Sequence, residues 1–94
     1  MRIHWSDRFK EGFKRTESSV KDPKSFRKVL YKAISILQKR EDLSKTFPVN
    51  KLAARGKGWF DCYVYEEIVM IYKIEGQYVT LSRIGTCKEL YEEQ

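Results

Sequence analysis

The chain has 94 residues, of which 41% are hydrophobic and 34% are charged, and its formal net charge is +6. This length accommodates one modest core, so we expect residues 1–94 to form a single folded domain rather than a disordered tail. No apolar run approaches the ~20 residues of a membrane span, and the N-terminus does not resemble a signal peptide. We therefore expect a cytoplasmic protein with reduced cysteines and no membrane partner.

The positive charge is concentrated in the N-terminal part of the chain. Residues 1–40 contain twelve Lys or Arg and four Asp or Glu, whereas residues 41–94 contain seven and nine. A basic surface favours a polyanionic partner, meaning nucleic acid, an anionic membrane or an acidic protein. A solvated helix face explains the same charge equally well.

The N-terminal segment predicts a short strand and a first helix. Residues 2–5 alternate in polarity, as in an extended segment. Ser6 or Asp7 is a suitable N-cap, because both side chains accept hydrogen bonds from backbone N–H groups of a first helical turn. Phe9 and Phe13 follow at helical spacing.

A second helix is predicted to begin at Asp22-Pro23. Asp is a frequent N-cap and Pro fits the first helical position. From residue 24 to residue 39 the apolar side chains recur three or four positions apart, which is typical of an amphipathic helix. We interpret three cations on its exposed face as contacts to RNA phosphates: Arg27, Lys28 and Lys32.

Residues 40–58 are predicted to form a loop-rich connection, and long loops are often functional. Its acid-free stretch over residues 50–57 carries three cations that we expect to contact phosphate: Lys51, Arg55 and Lys57. Three strands follow at residues 59–65, 68–74 and 78–84, joined by tight connections. The chain is thus predicted to be α+β, with two antiparallel helices packed on a twisted antiparallel sheet and a short C-terminal helix.

The chemistry-bearing residues lie at the ends of these strands. With one histidine and two distant cysteines, the chain lacks the spacing of a metal site, and it has no glycine-rich phosphate loop. Arg83 precedes a Gly-Thr pair, predicted to form a turn that opens the C-terminal helix, where a phosphate could bind. Arg83 could instead pair with a carboxylate of Glu66, Glu67 or Glu89.

Two aromatic residues of the first long strand have two interpretations. Trp59 and Tyr63 share a strand face, either as half-buried sheet residues or as a platform on which RNA bases stack. Phe60 and Tyr72 are assigned to the core.

Residues 50–91 resemble the C-terminal half of the RelE/ParE superfamily of bacterial toxins, most closely its YafQ-like branch. The resemblance rests on the following segments: Lys51-Leu52, Gly56-Lys57-Gly58-Trp59, Asp61, Ile71-Tyr72-Lys73, Arg83-Ile84-Gly85-Thr86-Cys87 and Leu90-Tyr91. It implies a RelE-like fold, in which the N-terminal two-helix half fits the layout without specific shared residues.

The resemblance also implies a function. Toxins of this type are ribosome-dependent mRNA endonucleases that cut in the decoding site by metal-independent 2′-OH attack and use no cofactor. An acidic, partly disordered, DNA-binding antitoxin would be the cognate partner. Two alternatives share the fold: a ParE-like inhibitor of DNA gyrase, and a toxin-fold protein that has lost activity and only binds its antitoxin.

The resemblance assigns roles to individual residues. Arg83 corresponds to the arginine that stabilises the transition state, Tyr91 to the aromatic residue that orients the mRNA, and Glu67 to a catalytic-site aspartate. Three positions at which close relatives carry histidines differ here: Asn50, Tyr63 and Cys87. We therefore expect Glu67 to accept the 2′-OH proton, with Cys87 or a tyrosine as a weaker acid for the leaving group. Tyr91 could also be a hydrophobic plug for the last helix.

Overall fold

The computed structural model describes residues 1–92. Its main elements are β1 (Arg2–Trp5), α1 (Asp7–Ser19), α2 (Pro23–Gln38), β2 (Val49–Lys51), β3 (Trp59–Tyr65), β4 (Ile68–Glu75), β5 (Tyr78–Thr86) and α3 (Cys87–Glu92). Short 3-10 turns cover Leu43–Lys45 and Ala53–Arg55. The strands form one sheet in the order β1-β5-β4-β3-β2. The architecture is α+β, as predicted.

The sheet differs from the prediction in two respects. Strands β3 to β5 pair antiparallel as expected, but β1 pairs with β5 in parallel. β1 and β5 are far apart in the chain, so no tight turn constrains their relative direction. The predicted loop over residues 40–58 contains β2, whose three residues pair with the edge of β3. A strand this short has no periodicity that could reveal it in the sequence.

Side-chain caps start both long helices. The Ser6 hydroxyl accepts a hydrogen bond from the Phe9 N–H at 3.1 Å, and the Asp22 carboxylate accepts one from the Ser25 N–H at 3.1 Å. The apolar faces of α1 and α2 pack on one face of the sheet. Their core contains Phe9, Phe26, Leu30, Ala33, Leu37, Cys62, Val64, Met70, Tyr72, Val79, Leu81 and Ile84. Tyr72 is a core residue as predicted, and the half-buried Phe60 stacks on it at 5.6 Å between ring centres.

Helix α1 covers the half of β5 that β1 leaves without a partner strand. The Ser6 N–H and hydroxyl donate to the carbonyl oxygens of Leu81 and Ser82 at 3.1 and 2.9 Å. Six residues later, Gly12 lies so close to β5 that a Cβ atom there would overlap the Ile84 carbonyl oxygen. The close approach protects an open strand edge.

The second face of the sheet carries α3 instead of the long helices. Leu90 of α3 packs against Val69 and Ile71, and Leu52, Trp59 and Tyr63 border this small cluster. No helix within residues 1–92 is long and apolar enough to cross a membrane.

Candidate active site

A row of polar residues crosses the sheet on the face that carries α3. Asp61 in β3 lies opposite Asn50 in β2 and opposite Ile71 in β4, and Ile71 in turn lies opposite Arg83 in β5. Residues that are directly opposite in paired strands present their side chains to the same face. The antiparallel register therefore brings Asn50, Asp61 and Arg83 onto one surface, although they span more than thirty positions in the chain.

Asp61 is the centre of this surface. Asp61 is only 5% exposed, and one of its carboxylate oxygens accepts a hydrogen bond from the Asn50 Nδ2 at 3.0 Å. The other oxygen accepts a hydrogen bond from the Tyr91 hydroxyl. Burial, followed by this bond to Asp61, raises the pKa of Tyr91, so the phenol keeps its proton at neutral pH. The sequence comparison with the toxin family included Asp61 but assigned it no role.

Tyr63 and Cys87, two of the residues predicted to form the site, are in direct contact. The Tyr63 hydroxyl and the Cys87 sulfur are 3.1 Å apart, and either atom can donate the proton. This hydrogen bond, together with burial, raises the pKa of Tyr63. Cys62 is also a free thiol, but it points into the helix-side core, where burial raises its pKa to about 12.

Glu67 lies at one end of this surface, outside the Asp61 row. It occupies the exposed turn between β3 and β4, and its backbone carbonyl accepts a hydrogen bond from the Cys87 N–H at 3.0 Å. The backbone of the predicted proton acceptor is therefore next to Cys87, whereas the exposed residue lines a separate cleft together with Ser19, Val20 and Lys21.

The predicted turn at Gly85-Thr86 is wrong, because both residues belong to the end of β5. Thr86 instead caps α3. Its N–H and hydroxyl donate to the Glu89 carboxylate at 3.1 Å each, and the Glu89 N–H donates to the Thr86 hydroxyl oxygen at 3.0 Å. Arg15 Nε lies 3.2 Å from the second Glu89 carboxylate oxygen. The chain's own carboxylate thus occupies the donors expected to hold a phosphate, and Glu89 pairs with Arg15.

The charge of Glu89 should stabilise the protein in a pH-dependent way. The Thr86 N–H, and to a lesser extent Arg15, hold the pKa of this carboxyl below its ordinary value of 4.5. A lowered folded-state pKa contributes stability above the unfolded-state pKa, and this contribution is lost as pH falls through the folded-state value. We expect Glu89→Gln to lower the free energy of unfolding by about 0.3–1 kcal/mol at neutral pH and by nothing in acid. Urea denaturation at both pH values measures this difference.

The control is Glu41→Gln, which removes the same charge from an exposed loop position. Its stability should follow the wild type at both pH values. A Glu89→Gln deficit that persists unchanged in acid would show that the carboxylate charge is not responsible.

The basic loop, meaning residues 50–57 with their three cations, is attached to the sheet by Gly58 and Trp59. Gly58 has a φ of 82°, and its carbonyl accepts a hydrogen bond from the Ile74 N–H at 2.8 Å. The Arg55 guanidinium carbon lies 4.9 Å from the centre of the half-buried Trp59 ring, and the Lys73 amine lies 5.6 Å from it. These cations cover surface on which a base would stack, which favours the interpretation of Trp59 as a half-buried sheet residue.

The same loop borders a cleft beside Tyr91. The cleft has a volume of about 510 Å³ and is lined by Lys51, Leu52, Ala53, Ala54, Arg55 and Tyr91. Lys51 and Arg55, two of the three predicted phosphate contacts of the loop, therefore lie beside Tyr91, which is bonded to Asp61. The third, Lys57, is exposed and follows Arg55 by two residues.

The cations of α2 lie elsewhere, because α2 packs on the opposite face of the sheet. Arg27 is half-buried, and its Nη1 pairs with the Glu17 carboxylate at 2.8 Å, so the prediction of an exposed cation is wrong at this position. Lys28 and Lys32 are exposed as predicted. A second helix that supplies a carboxylate within reach of Arg27 cannot be recognised from the spacing within α2.

Sequence and structure comparisons agree on the relatives of this chain. A family described as bacterial toxin of type II toxin-antitoxin system, YafQ, matches residues 1–92. No curated protein matches the chain at the sequence level.

Several solved structures share the fold. A metal-bound toxin from Helicobacter pylori is 24% identical with a TM-score of 0.82, and the match covers 97% of this chain and 99% of that one. The Escherichia coli DinJ–YafQ complex gives 24% identity, a TM-score of 0.81 and the same coverage. The RelB–RelE antitoxin–toxin complex from Methanococcus jannaschii gives 15% identity and a TM-score of 0.72 over 95% of each chain.

Proposed function

Because the chain belongs to the YafQ family of bacterial toxins of type II toxin–antitoxin systems, we propose that it is a ribosome-dependent mRNA endonuclease. The proposed reaction is attack of a ribose 2′-OH on the adjacent phosphate. The P–O bond to the 5′-oxygen of the next nucleotide breaks, and a 2′,3′-cyclic phosphate and a free 5′-hydroxyl result. The observation that carries this proposal is the surface that combines Arg83 with the Asn50–Asp61–Tyr91 cluster.

Each polar group of the surface has a proposed task. Arg83 neutralises the charge that develops on the phosphorane. Glu67, which is exposed and adjacent to Cys87, accepts the 2′-OH proton. Because both oxygens of Asp61 already accept hydrogen bonds, Asp61 holds Asn50 and Tyr91 in position. The hydrogen-bonded Tyr63–Cys87 pair is the source of the proton for the leaving 5′-oxygen.

Two macromolecular partners follow from this proposal. The first is a cognate antitoxin, because the solved relatives include toxins in complex with DinJ and RelB. The family resemblance implies that this antitoxin is acidic, partly disordered and DNA-binding. The second is the translating ribosome in the cytoplasm, which presents the mRNA in its decoding site. The net charge of +6 suits both of these anionic partners.

A coupled translation reaction tests the activity. We expect the protein to stop synthesis and to cut mRNA only when ribosomes are present. Inhibition of protein synthesis while all mRNA remains intact would refute the nuclease proposal. If DNA breaks trapped by gyrase accompany that inhibition, they would support a ParE-like activity. A protein that binds its antitoxin but inhibits nothing would be a toxin that has lost its activity.

The exposed cations of α2 give a separate prediction about ribosome binding. Lys28→Glu with Lys32→Glu should weaken association, because both lysines are exposed and free to contact rRNA phosphates outside the active site. The slope of log affinity against log salt should fall by about one for each lost phosphate contact. Lys10→Glu with Lys14→Glu, on α1, changes the net charge equally and is the control. Equal effects of the two double variants would show that only net charge matters.

A further inference from the structure

We propose that a cleft on the helix side of the sheet docks an arginine side chain from a basic segment of a protein partner. The inference goes beyond the proposed endonuclease activity and does not depend on it. The cleft lies where the Leu43–Lys45 turn meets the end of α2 and strands β2 to β4. Its volume is about 210 Å³. Sites for whole small molecules usually measure roughly 300–1,000 Å³, so this cleft suits one side chain of a larger partner.

The walls of the cleft are apolar. They are formed by five side chains: Leu37, Leu43, Val49, Phe60 and Ile74. Val49, Phe60 and Ile74 are half-buried, so apolar surface stays open at the edge of the main core. The aliphatic stem of an arginine packs on such a surface while its guanidinium reaches a polar rim.

Tyr72 also lines the cleft and brings to it a hydroxyl that the fold leaves unused. Tyr72 is only 2% exposed, yet its hydroxyl has no hydrogen-bond partner within residues 1–92. No side-chain polar atom of these residues is both fully buried and unpaired, so the hydroxyl is open to the cleft that its ring lines. Burial is the main cause that raises the pKa of Tyr72, and the phenol stays neutral. Buried polar groups normally have a partner, and a guanidinium N–H supplies one to this oxygen.

Two carboxylates lie on the rim of the cleft. Glu41 and Asp42 both line it and both are exposed. The Asp42 Oδ1 accepts hydrogen bonds from the Ser44 N–H and hydroxyl at 3.0 and 2.6 Å, and the second oxygen, Oδ2, has no partner within residues 1–92. These bonds hold the pKa of Asp42 below its usual value, so the group is charged at neutral pH. Carboxylates are the groups that a guanidinium binds best, through parallel N–H donors.

The local charge favours a cation although the whole chain is basic. The net charge of +6 repels a cationic segment, which therefore needs a local acidic site. Arg40, which precedes Glu41 in the chain, is hydrogen-bonded to Gln77 in the turn between β4 and β5. Lys45 lines a neighbouring cleft of about 310 Å³ that shares Glu41 and Asp42 with the first. This second cleft gives room for the chain that carries the arginine.

The test is an NMR titration of the whole chain, labelled with carbon-13 in the methyl groups of Val, Leu and Ile. The probe is a pentapeptide with blocked ends and one arginine among glycines. The control peptide carries citrulline, which has the shape of arginine but no charge. We expect the arginine peptide to shift the methyl signals of Val49 and Ile74. The citrulline peptide should bind about tenfold more weakly, the usual cost of losing a charged hydrogen bond.

Conservative variants assign the binding to individual groups. Glu41→Gln with Asp42→Asn removes both rim charges, and the asparagine can still accept the same capping hydrogen bonds. We expect about three- to tenfold weaker binding, because exposed ion pairs contribute little individually. Tyr72→Phe removes only the unpaired hydroxyl and should weaken binding by about the same factor. Glu11→Gln with Glu66→Gln removes equal charge at exposed positions outside the cleft and should leave the affinity unchanged.

Other results would overturn the proposal. If Val49 and Ile74 do not shift, or if both peptides bind the wild type equally, the proposal is wrong whether or not the variants fold. Equal losses in the two double variants would reduce the effect to net charge. If N-propylguanidinium binds the same methyl groups more tightly than the peptide, the ligand is a free guanidinium compound. Shifts that arise on concentrating the protein alone would assign the cleft to a second copy of the chain.

Discussion

Arg83→Ala is expected to reduce single-turnover cleavage of ribosome-bound mRNA by about 10²–10³-fold, the usual cost of losing a donor that stabilises transition-state charge. Arg83 lies in the same row across the sheet as Asp61 and Asn50. Its side chain is thus on the surface where the phosphorane would form. Because charge develops mainly in the transition state, we expect the loss in kcat rather than in mRNA binding.

Three variants make this result specific. Arg8→Ala removes a cation from an exposed position of α1, outside the candidate site. This variant should cleave mRNA at the wild-type rate. Cys87→Ser should cost much less than Arg83→Ala, because serine can keep a hydrogen bond to Tyr63. Cys87→His, which restores the residue of relatives, should raise the rate. Near-wild-type cutting by Arg83→Ala would contradict the assignment, and complete loss in Cys87→Ser would identify the thiol as the essential acid.

Glu67→Gln is expected to slow cleavage by about 10²–10⁴-fold, because a positioned general base typically contributes that factor. Glu67 is exposed in the turn whose backbone is hydrogen-bonded to Cys87, so its carboxylate is accessible to solvent. The measurement is the single-turnover rate of cleavage of ribosome-bound mRNA. Glu66→Gln, which removes the same charge from the same exposed turn, is the control.

Asp61→Asn distinguishes a proton acceptor from a positioning residue. An asparagine can accept from Asn50 and donate to Tyr91, so the hydrogen-bonded cluster survives without its charge. We expect a moderate loss of rate. If Asp61→Asn abolishes cleavage while Glu67→Gln retains it, the base is Asp61 and our assignment of Glu67 is wrong.

The elements of the fold could be predicted because their causes are local. Ser6 and Asp22 cap the helices as their chemistry requires, and the apolar spacing of α2 placed its bounds within one residue of those observed. The alternation of residues in β3 and the apolar run of β4 likewise identified two strands. The parallel direction of β1 could not be predicted, because pairing with β5 depends on residues more than seventy positions away.

The candidate site is predictable to a lesser extent. Residue types and the family resemblance indicated Arg83, Tyr91 and the loop cations, and these remain predictions of function. The alternation of β3 could have identified Asp61, which shares a face with Trp59 and Tyr63, as a carboxylate set among aromatic residues. Its partners could not be found in this way, because Tyr91 comes from another element.

The sequence by itself determined the two long helices and the cores of the three long strands, how the charge is distributed and which side chains are available for chemistry. These properties depend on intrinsic preferences and short spacings, which a chain carries in any conformation. Only the tertiary structure decided that Glu89 pairs with Arg15, that Arg27 is neutralised by Glu17, and that Tyr91 is tied to Asp61. Each is a contact between distant segments, whose formation depends on strand register and helix packing rather than on neighbouring residues.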